Sequence, residues 1–251
     1  MNIETILSPT ELPLLARRDW RGTACVVFDI LRATSTFVTA LHHGATGIIP
    51  VSEISEAVAL RRQRHELLLA GERDGVKIRA AQSGEVDFDF GNSPREFRPE
   101  TVRGKMIVST TTNGTRALRA CAGSPCVVAA AFLNLAATAK FLREKNFSDV
   151  LLVCAGTGEG VADEDVLAAG ALIENLQGAG HVRLDAASQT ALQTFAAGKN
   201  DLAAAIGSSQ NGRRLLANPD LRADVAFCAQ RDIYDLVAVM TADGALRPAT
   251  T

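Results

Sequence analysis

The chain has few aromatic side chains: they make up 5% of its 251 residues, with one Trp and one Tyr. A core with so few rings is built from small and aliphatic groups, as when helices lie close on a sheet. There is no excess of positive charge. Lys and Arg number 26 against 28 Asp and Glu, a net charge of −2. Nothing global therefore draws the chain to nucleic acid or to an anionic membrane. Any anion it binds must be held by a local site. Long apolar runs are absent too. The longest, CVVAAAFL at 126–133, is far short of the roughly 20 residues that span a bilayer. The opening MNIETILSPTELP lacks a basic segment followed by an apolar one, so no export leader is expected. Cys25, Cys121, Cys126, Cys154 and Cys228 are odd in number and include no C-x-x-C. They read as buried free thiols. The expectation is a soluble, cytoplasmic, reduced protein. Its 47% hydrophobic and 22% charged residues exclude a disordered chain.

Several phosphoryl-transfer signatures are missing as well. There is no GxxxxGK[ST], so no P-loop. No Cys is followed by Arg six positions later. Position 31 is Leu, so Asp29 does not begin a D-x-D pair. His42, His43, His65 and His181 fall on expected helix faces or a helix end, and none stands in an RHG or HxH context. Each reads as a solvated or satisfied histidine.

Short continuous apolar runs alternate with helical-period stretches. The runs lie at 24–28, 47–51, 67–70, 105–109, 126–131 and 149–154, with later ones at 182–184 and 225–228. Amphipathic stretches lie at 34–43, 53–65, 114–121, 134–145, 164–178, 186–197, 199–206 and 209–217. This pattern predicts parallel strands covered by helices. The order strand, polar loop, helix, strand, helix, strand occurs twice, displaced by about 80 residues. It predicts two similar halves from a duplicated unit, divided as 1–100 and 101–251 across RPETVRGK.

In parallel sheets, ligands sit beyond the carboxyl ends of strands. Four such positions carry polar residues. At 29–36 (DILRATST), Asp29 can hold a hard cation, Arg32 can pair with an oxyanion, and Thr34 and Ser35 offer hydroxyls. An Asp–Arg ion pair with an ordinary helix cap explains the same residues equally well. At 110–115 (TTTNGT), Thr111, Thr112, Asn113, Gly114 and Thr115 suit an anion nest, with Gly114 easing a tight turn. That is more than a cap requires. At 70–73 (AGER), Glu72 could join Asp29 on a metal and Arg73 could hold a second acidic group. Asn92 and Ser93, in GNSP, could orient either, or form a plain turn. At 154–165, CAGTGEG is a weak glycine signal. Glu164 and Asp165 open a helix, as simple dipole partners or as metal-binding or acid–base groups.

Together VVFDILRATST, AGERDG, FDFGNSP, TTTNGTRAL, VCAGTGEG and EDVLAAG, running in order through nearly the whole chain, resemble the 2-phosphosulfolactate phosphatase family. The resemblance implies a Mg2+-dependent phosphatase that releases phosphate and sulfolactate from a small phosphorylated, sulfonated acid, in a coenzyme M type pathway. It also implies an α/β fold of two similar three-layer α/β/α halves with mainly parallel sheets. Asp29, Arg32, Glu72, Arg73, Asn92, Ser93, Thr112, Asn113, Gly114, Thr115, Glu164 and Asp165 fall on recurring motif positions. The stretch 157–163 departs from the family's pattern, so no role is carried to Asp163. We expect Mg2+ on Asp29 with Glu72 or Asp165. Arg32 and the 110–115 loop would hold the phosphoryl group, and Arg73 the sulfonate or carboxylate. Glu164 or Asp165 would be the general acid. Another phosphorylated acid as substrate, and a non-catalytic anion-binding regulator, stay open alternatives. A homodimer is compatible with the chain but specified by no motif.

Overall fold

The computed structural model describes residues 1–178 and 181–249. The strands are β1 (Asn2–Ile6), β2 (Thr23–Phe28), β3 (Gly47–Pro50), β4 (Leu68–Arg73), β5 (Val76–Lys77) and β6 (Met106–Thr110). They continue as β7 (Cys126–Ala130), β8 (Asp149–Cys154), β9 (Arg183–Leu184), β10 (Ala238–Met240) and β11 (Leu246–Pro248). The helices are α1 (Ala33–His42), α2 (Ile54–Gln63), α3 (Ala80–Ser83), α4 (Pro99–Val102), α5 (Gly114–Ala120) and α6 (Leu135–Glu144). They continue as α7 (Asp163–Gln177), α8 (Ala186–Gly198), α9 (Leu202–Gly207), α10 (Gln210–Leu216) and α11 (Arg222–Cys228).

All eleven strands form one mainly parallel sheet, in the order β5-β4-β6-β3-β11-β10-β7-β2-β8-β1-β9. The six apolar runs from 24 to 154 became strands because each is buried over most of its length. β2 (TACVVF) is buried at every residue, as a central parallel strand requires. The wiring β2-α1-β3-α2-β4 recurs as β6-α5-β7-α6-β8. The two units are not side by side, however. β2 pairs with β7 and β8 of the second unit, and β6 pairs with β3 and β4 of the first. Strands from either side of residue 100 therefore interleave in one sheet, and a duplication into two similar halves is not shown by it.

Several elements depart from expectation, among them the short β5, α3 and α4. β1 was not foreseen; its short NIETI segment is buried at Ile3, Thr5 and Ile6, between β8 and β9. The hairpin β10–β11 was not foreseen either. It bridges β7 and β3 through antiparallel pairs, so the two parallel groups run in opposite senses. The run 225–228, expected as a strand, ends α11. Asp224, Val225 and Cys228 are its buried residues, and i, i+1, i+4 is one helix face.

The small residues serve close packing. A Cβ on Gly170 of α7 would collide with the Ala191 carbonyl of α8, so the glycine is what lets these two helices approach. The five cysteines are all buried and free. His42 stacks on Tyr234 with ring centroids 4.0 Å apart, and His43 Nδ1 meets the Phe97 carbonyl at 2.5 Å. No helix among the described residues is long and apolar enough to cross a membrane.

Candidate active site

The loops after β2 and β6 meet face to face. Asp29 follows β2 directly, and Gly114 opens α5 after β6. A Cβ on Gly114 would lie 2.5 Å from Asp29 Oδ2 and 2.7 Å from the Ala33 Cβ. The glycine is thus required by the close approach of the opposing loop; its φ is not among the positive ones, so the tight turn expected there is not its reason.

A pocket of about 380 Å³ opens at this junction. Asp29, Arg32, Glu72, Asn92, Thr112 and Asn113 line it among the expected residues. Asp74 and Gly75 at the β4–β5 tip, the 156–158 glycine loop, and Gln210, Asn211, Arg214 and Asn218 from α10 and beyond also line it, with apolar Leu31, Val76, Leu215 and Leu221. At the tip, Asp74 and Gly75 both have positive φ, 56° and 76°. An Asp-Gly pair suits such a two-residue hairpin turn.

The pocket carboxylates are held in place. Glu72 Oε1 accepts the Thr112 backbone N–H at 3.0 Å and its hydroxyl at 3.1 Å, and Oε2 accepts the Gly75 N–H at 2.6 Å. The 110–115 loop therefore cradles an internal carboxylate. Asp29 Oδ1 accepts the Ala33 N–H at 3.1 Å. Burial beneath the pocket surface pushes the Asp29 carboxyl up to about 7 despite the N–H groups of Ala33 and Gly114, and Glu72 and Glu164 add repulsion. Asn113 lines the pocket while its amide donates to the Ala155 and Gly158 carbonyls at 2.8 and 2.9 Å, tying α5 to the glycine loop.

Arg32 lines the pocket from behind an ion pair. Its guanidinium donates to Asp224 Oδ2 at 2.7 Å and to the Gly75 carbonyl at 2.9 Å. Its partner is thus Asp224, not Asp29. Two of its five N–H donors are committed and three remain. Ser93 reaches the same Asp224, donating to Oδ1 at 2.7 Å.

Other expected residues brace the site without lining it. Thr34 Oγ1 donates to the Asp29 carbonyl at 3.0 Å, and Ser35 Oγ to the Ile30 carbonyl at 2.8 Å. Thr111 and Thr115 bond each other across the first turn of α5. Arg73 turns away from the pocket, donating to the carbonyls of Glu72 and Ser52 and to Thr110 Oγ1 at 2.7, 3.2 and 3.0 Å. Asp165 is 1% exposed. Its two oxygens accept the N–H groups of Ile30 and Gly156 at 2.8 and 3.1 Å, so it joins the loop after β2 to the loop after β8. Burial, then Glu164 and Asp29, push its carboxyl well above the usual range. Burial also raises Glu164. Its Oε1 accepts from Asn211 at 2.7 Å, whereas its buried Oε2 has no partner among the described residues.

The donor set fits a hard divalent cation in one form. Mg2+ takes one or two carboxylates and completes its shell with water and substrate oxygens. Asp29 and Glu72, both in the pocket wall, meet that need. Asp165 does not line the pocket; its oxygens hold the backbone behind the wall. No cluster of three His, Cys, Asp or Glu ligands is assembled among the described residues, so the three expected ligands do not form one preformed cage.

Sequence reasoning missed Asp224, Asn211, Arg214 and the Asp74–Gly75 tip. Asp224 was hidden by reading its surroundings as a strand. The Asp-Gly pair was a usable hairpin signal. Nothing in the period of α10 singles out Asn211 or Arg214.

Comparison with known proteins shows the family. Residues 10–243 match the family model described as 2-phosphosulpholactate phosphatase. A protein of Caldanaerobacter subterraneus subsp. tengcongensis, named probable 2-phosphosulfolactate phosphatase, is 39% identical over 222 residues, 88% of each chain. Proteins of the same name from Thermotoga maritima and Thermosynechococcus vestitus are 38% and 36% identical. They cover 86% and 94% of this chain, and 88% and 95% of their own lengths. By the family model and by these full-length relatives, the chain belongs to the 2-phosphosulpholactate phosphatase family.

Proposed function

We propose that this chain is a phosphoric monoester hydrolase that converts 2-phosphosulfolactate to sulfolactate and phosphate, with Mg2+ on Asp29 and Glu72, in a coenzyme M type pathway. The observation that carries the chemistry is the meeting of Asp29, Glu72 and Arg32 in one pocket sized for a small polyanion. The relatives' names supply the substrate.

When bound, Mg2+ offsets charge on the phosphoryl oxygens. The chain's own residues do the positioning. Arg32, aimed by Asp224 and Gly75, presents its remaining N–H donors to the phosphoryl group. Glu72, held by three donors, stays in one place through the reaction. Asn113 fixes the glycine loop that closes one side. Asp165 sets the backbone at Ile30 and Gly156, and so the direction of Asp29. Glu164 and Asp165 do not line the pocket; they act through these loops rather than as a general acid on substrate.

The test is phosphate release from synthetic 2-phosphosulfolactate, with Mg2+ and with EDTA. Release that stops in EDTA and returns with Mg2+ supports the reading. Undiminished release in EDTA overturns the metal assignment. Tight binding without release, with Mg2+ present, favours an anion-binding regulator instead.

A further inference from the structure

Four arginines approach the pocket region, and three are already engaged. Arg73 is bonded to the protein on the far side of β4. Arg32 and Arg95 share buried Asp224, at 2.7 and 3.5 Å. The fourth, Arg214 on α10, lines the pocket and pairs with no carboxylate among the described residues. Its guanidinium donates instead to the Asp74 carbonyl at the β4–β5 tip. Arg214 is exposed, so this neutral contact is made at the pocket mouth, where a ligand can replace it. Gln210 and Asn218 stand in the same wall.

We propose that Arg214 takes the sulfonate of the substrate. The inference rests on the phosphatase reading above and assigns its second anionic subsite. A sulfonate is weakly basic and a poor ligand for a hard cation. It is not suited to the Asp29–Glu72 side, which favours phosphate and carboxylate oxygens. It needs a permanent positive charge with N–H donors spread in a plane, which a guanidinium provides at every working pH. Among the described residues, Arg214 supplies the one such charge in the pocket wall not already offset by a carboxylate. Exchanging a carbonyl for a sulfonate converts a neutral hydrogen bond to a charge-assisted one. Binding therefore releases the hairpin tip as it fills the subsite.

The test compares wild type, Arg214→Gln and Arg214→Lys on 2-phosphosulfolactate and on 2-phospholactate, in which a methyl group replaces the sulfomethyl group. Calorimetric binding of sulfolactate and of lactate runs beside it. Arg214→Gln is expected to lower kcat/KM for 2-phosphosulfolactate about 30- to 100-fold, mainly through KM, the scale of one lost charged partner. It should change 2-phospholactate turnover by less than about 3-fold on the same scale, and Arg214→Lys should restore part of the loss. Sulfolactate affinity should fall in parallel. Equal losses on both substrates, no loss on either, or no wild-type preference between them overturns the subsite. If wild type binds sulfolactate but releases no phosphate, the phosphatase reading fails. The subsite then stands or falls on whether Arg214→Gln weakens that binding. If wild type binds no sulfolactate, the subsite falls.

Discussion

Arg32 donates to Asp224 at 2.7 Å with side chains 3% and 0% exposed, so a buried ion pair stands at the wall of the pocket. Removing one partner of a buried pair strands the other charge, at a cost of about 3–5 kcal/mol. Asp224→Asn should destabilise the protein on that scale and lower phosphatase turnover together. Urea unfolding alongside a phosphate-release assay checks this. A loss below about 1 kcal/mol, the range of exposed pairs, would show that Arg32 finds another partner.

Gly114→Ala separates helix propensity from site geometry. Alanine favours a helix interior by up to about 1 kcal/mol. At this position its Cβ would meet Asp29 Oδ2, on the opposing loop, at 2.5 Å and Ala33, which opens α1, at 2.7 Å. The clash should dominate, with stability falling by about 1–3 kcal/mol and turnover falling further as Asp29 is displaced. Thermal unfolding and kcat measured on one preparation give both signs. A stabilised, active variant would refute the close approach.

Asp29→Asn should move stability and activity in opposite directions. Asp29, Glu164 and Asp165 repel one another and are all raised by burial. Neutralising Asp29 relieves that repulsion, so the cation-free protein should resist urea better than wild type. Turnover should fall on the order of 1000-fold through loss of a pocket carboxylate. Near-normal turnover would remove Asp29 from the mechanism.

The same three carboxyls give a pH signature. Their folded values are raised above the roughly 4 of the unfolded chain, with Asp29 at about 7. Between those values the folded state holds more protons than the unfolded one. Stability therefore falls as pH rises from about 4 through 7. His42, held below its ordinary value by burial, works in the opposite sense. The comparison is thus made against Asp29→Asn. In EDTA, wild type should lose more stability between pH 5 and 8 than the variant, and Mg2+ should remove the difference. Identical slopes would contradict the buried carboxylate cluster.

Much of the site was legible because it lies at strand ends. Asp29, Glu72, Thr112 and Asn113 each stand in the first polar stretch after a buried apolar run. The burial that makes such a run visible also aims its next few residues at the pocket. Thr34, Ser35, Thr111 and Thr115 were correctly placed in those loops. Their hydroxyls serve the backbone, since a loop that turns sharply leaves its own N–H and C=O groups to satisfy. Arg73 was expected to face the same site as Glu72, although adjacent residues in a strand face opposite sides; that alternation was a signal left unused. Asp224 was out of reach for a different reason. Its partner lies 192 positions away, and VAFC is as apolar as a strand. In the fold, the wiring of β2 to β4 and of β6 to β8 was readable, but their exchange was not. Pairing order depends on which edges meet, and periodicity carries no such information. The Asp243–Gly244 turn of the β10–β11 hairpin was a signal left unused.

The exchange of β2 and β6 also sets a timetable for synthesis. β2, all of whose residues end up buried, leaves the ribosome well before its neighbours β7 and β8, which begin at residues 126 and 149. At ordinary elongation rates that gap lasts on the order of 5–20 s. During it an apolar strand has no native edge to join. The nascent chain must therefore be shielded or kept dilute until its second unit emerges, and the pocket, whose walls come from both units, cannot exist on a half-made protein.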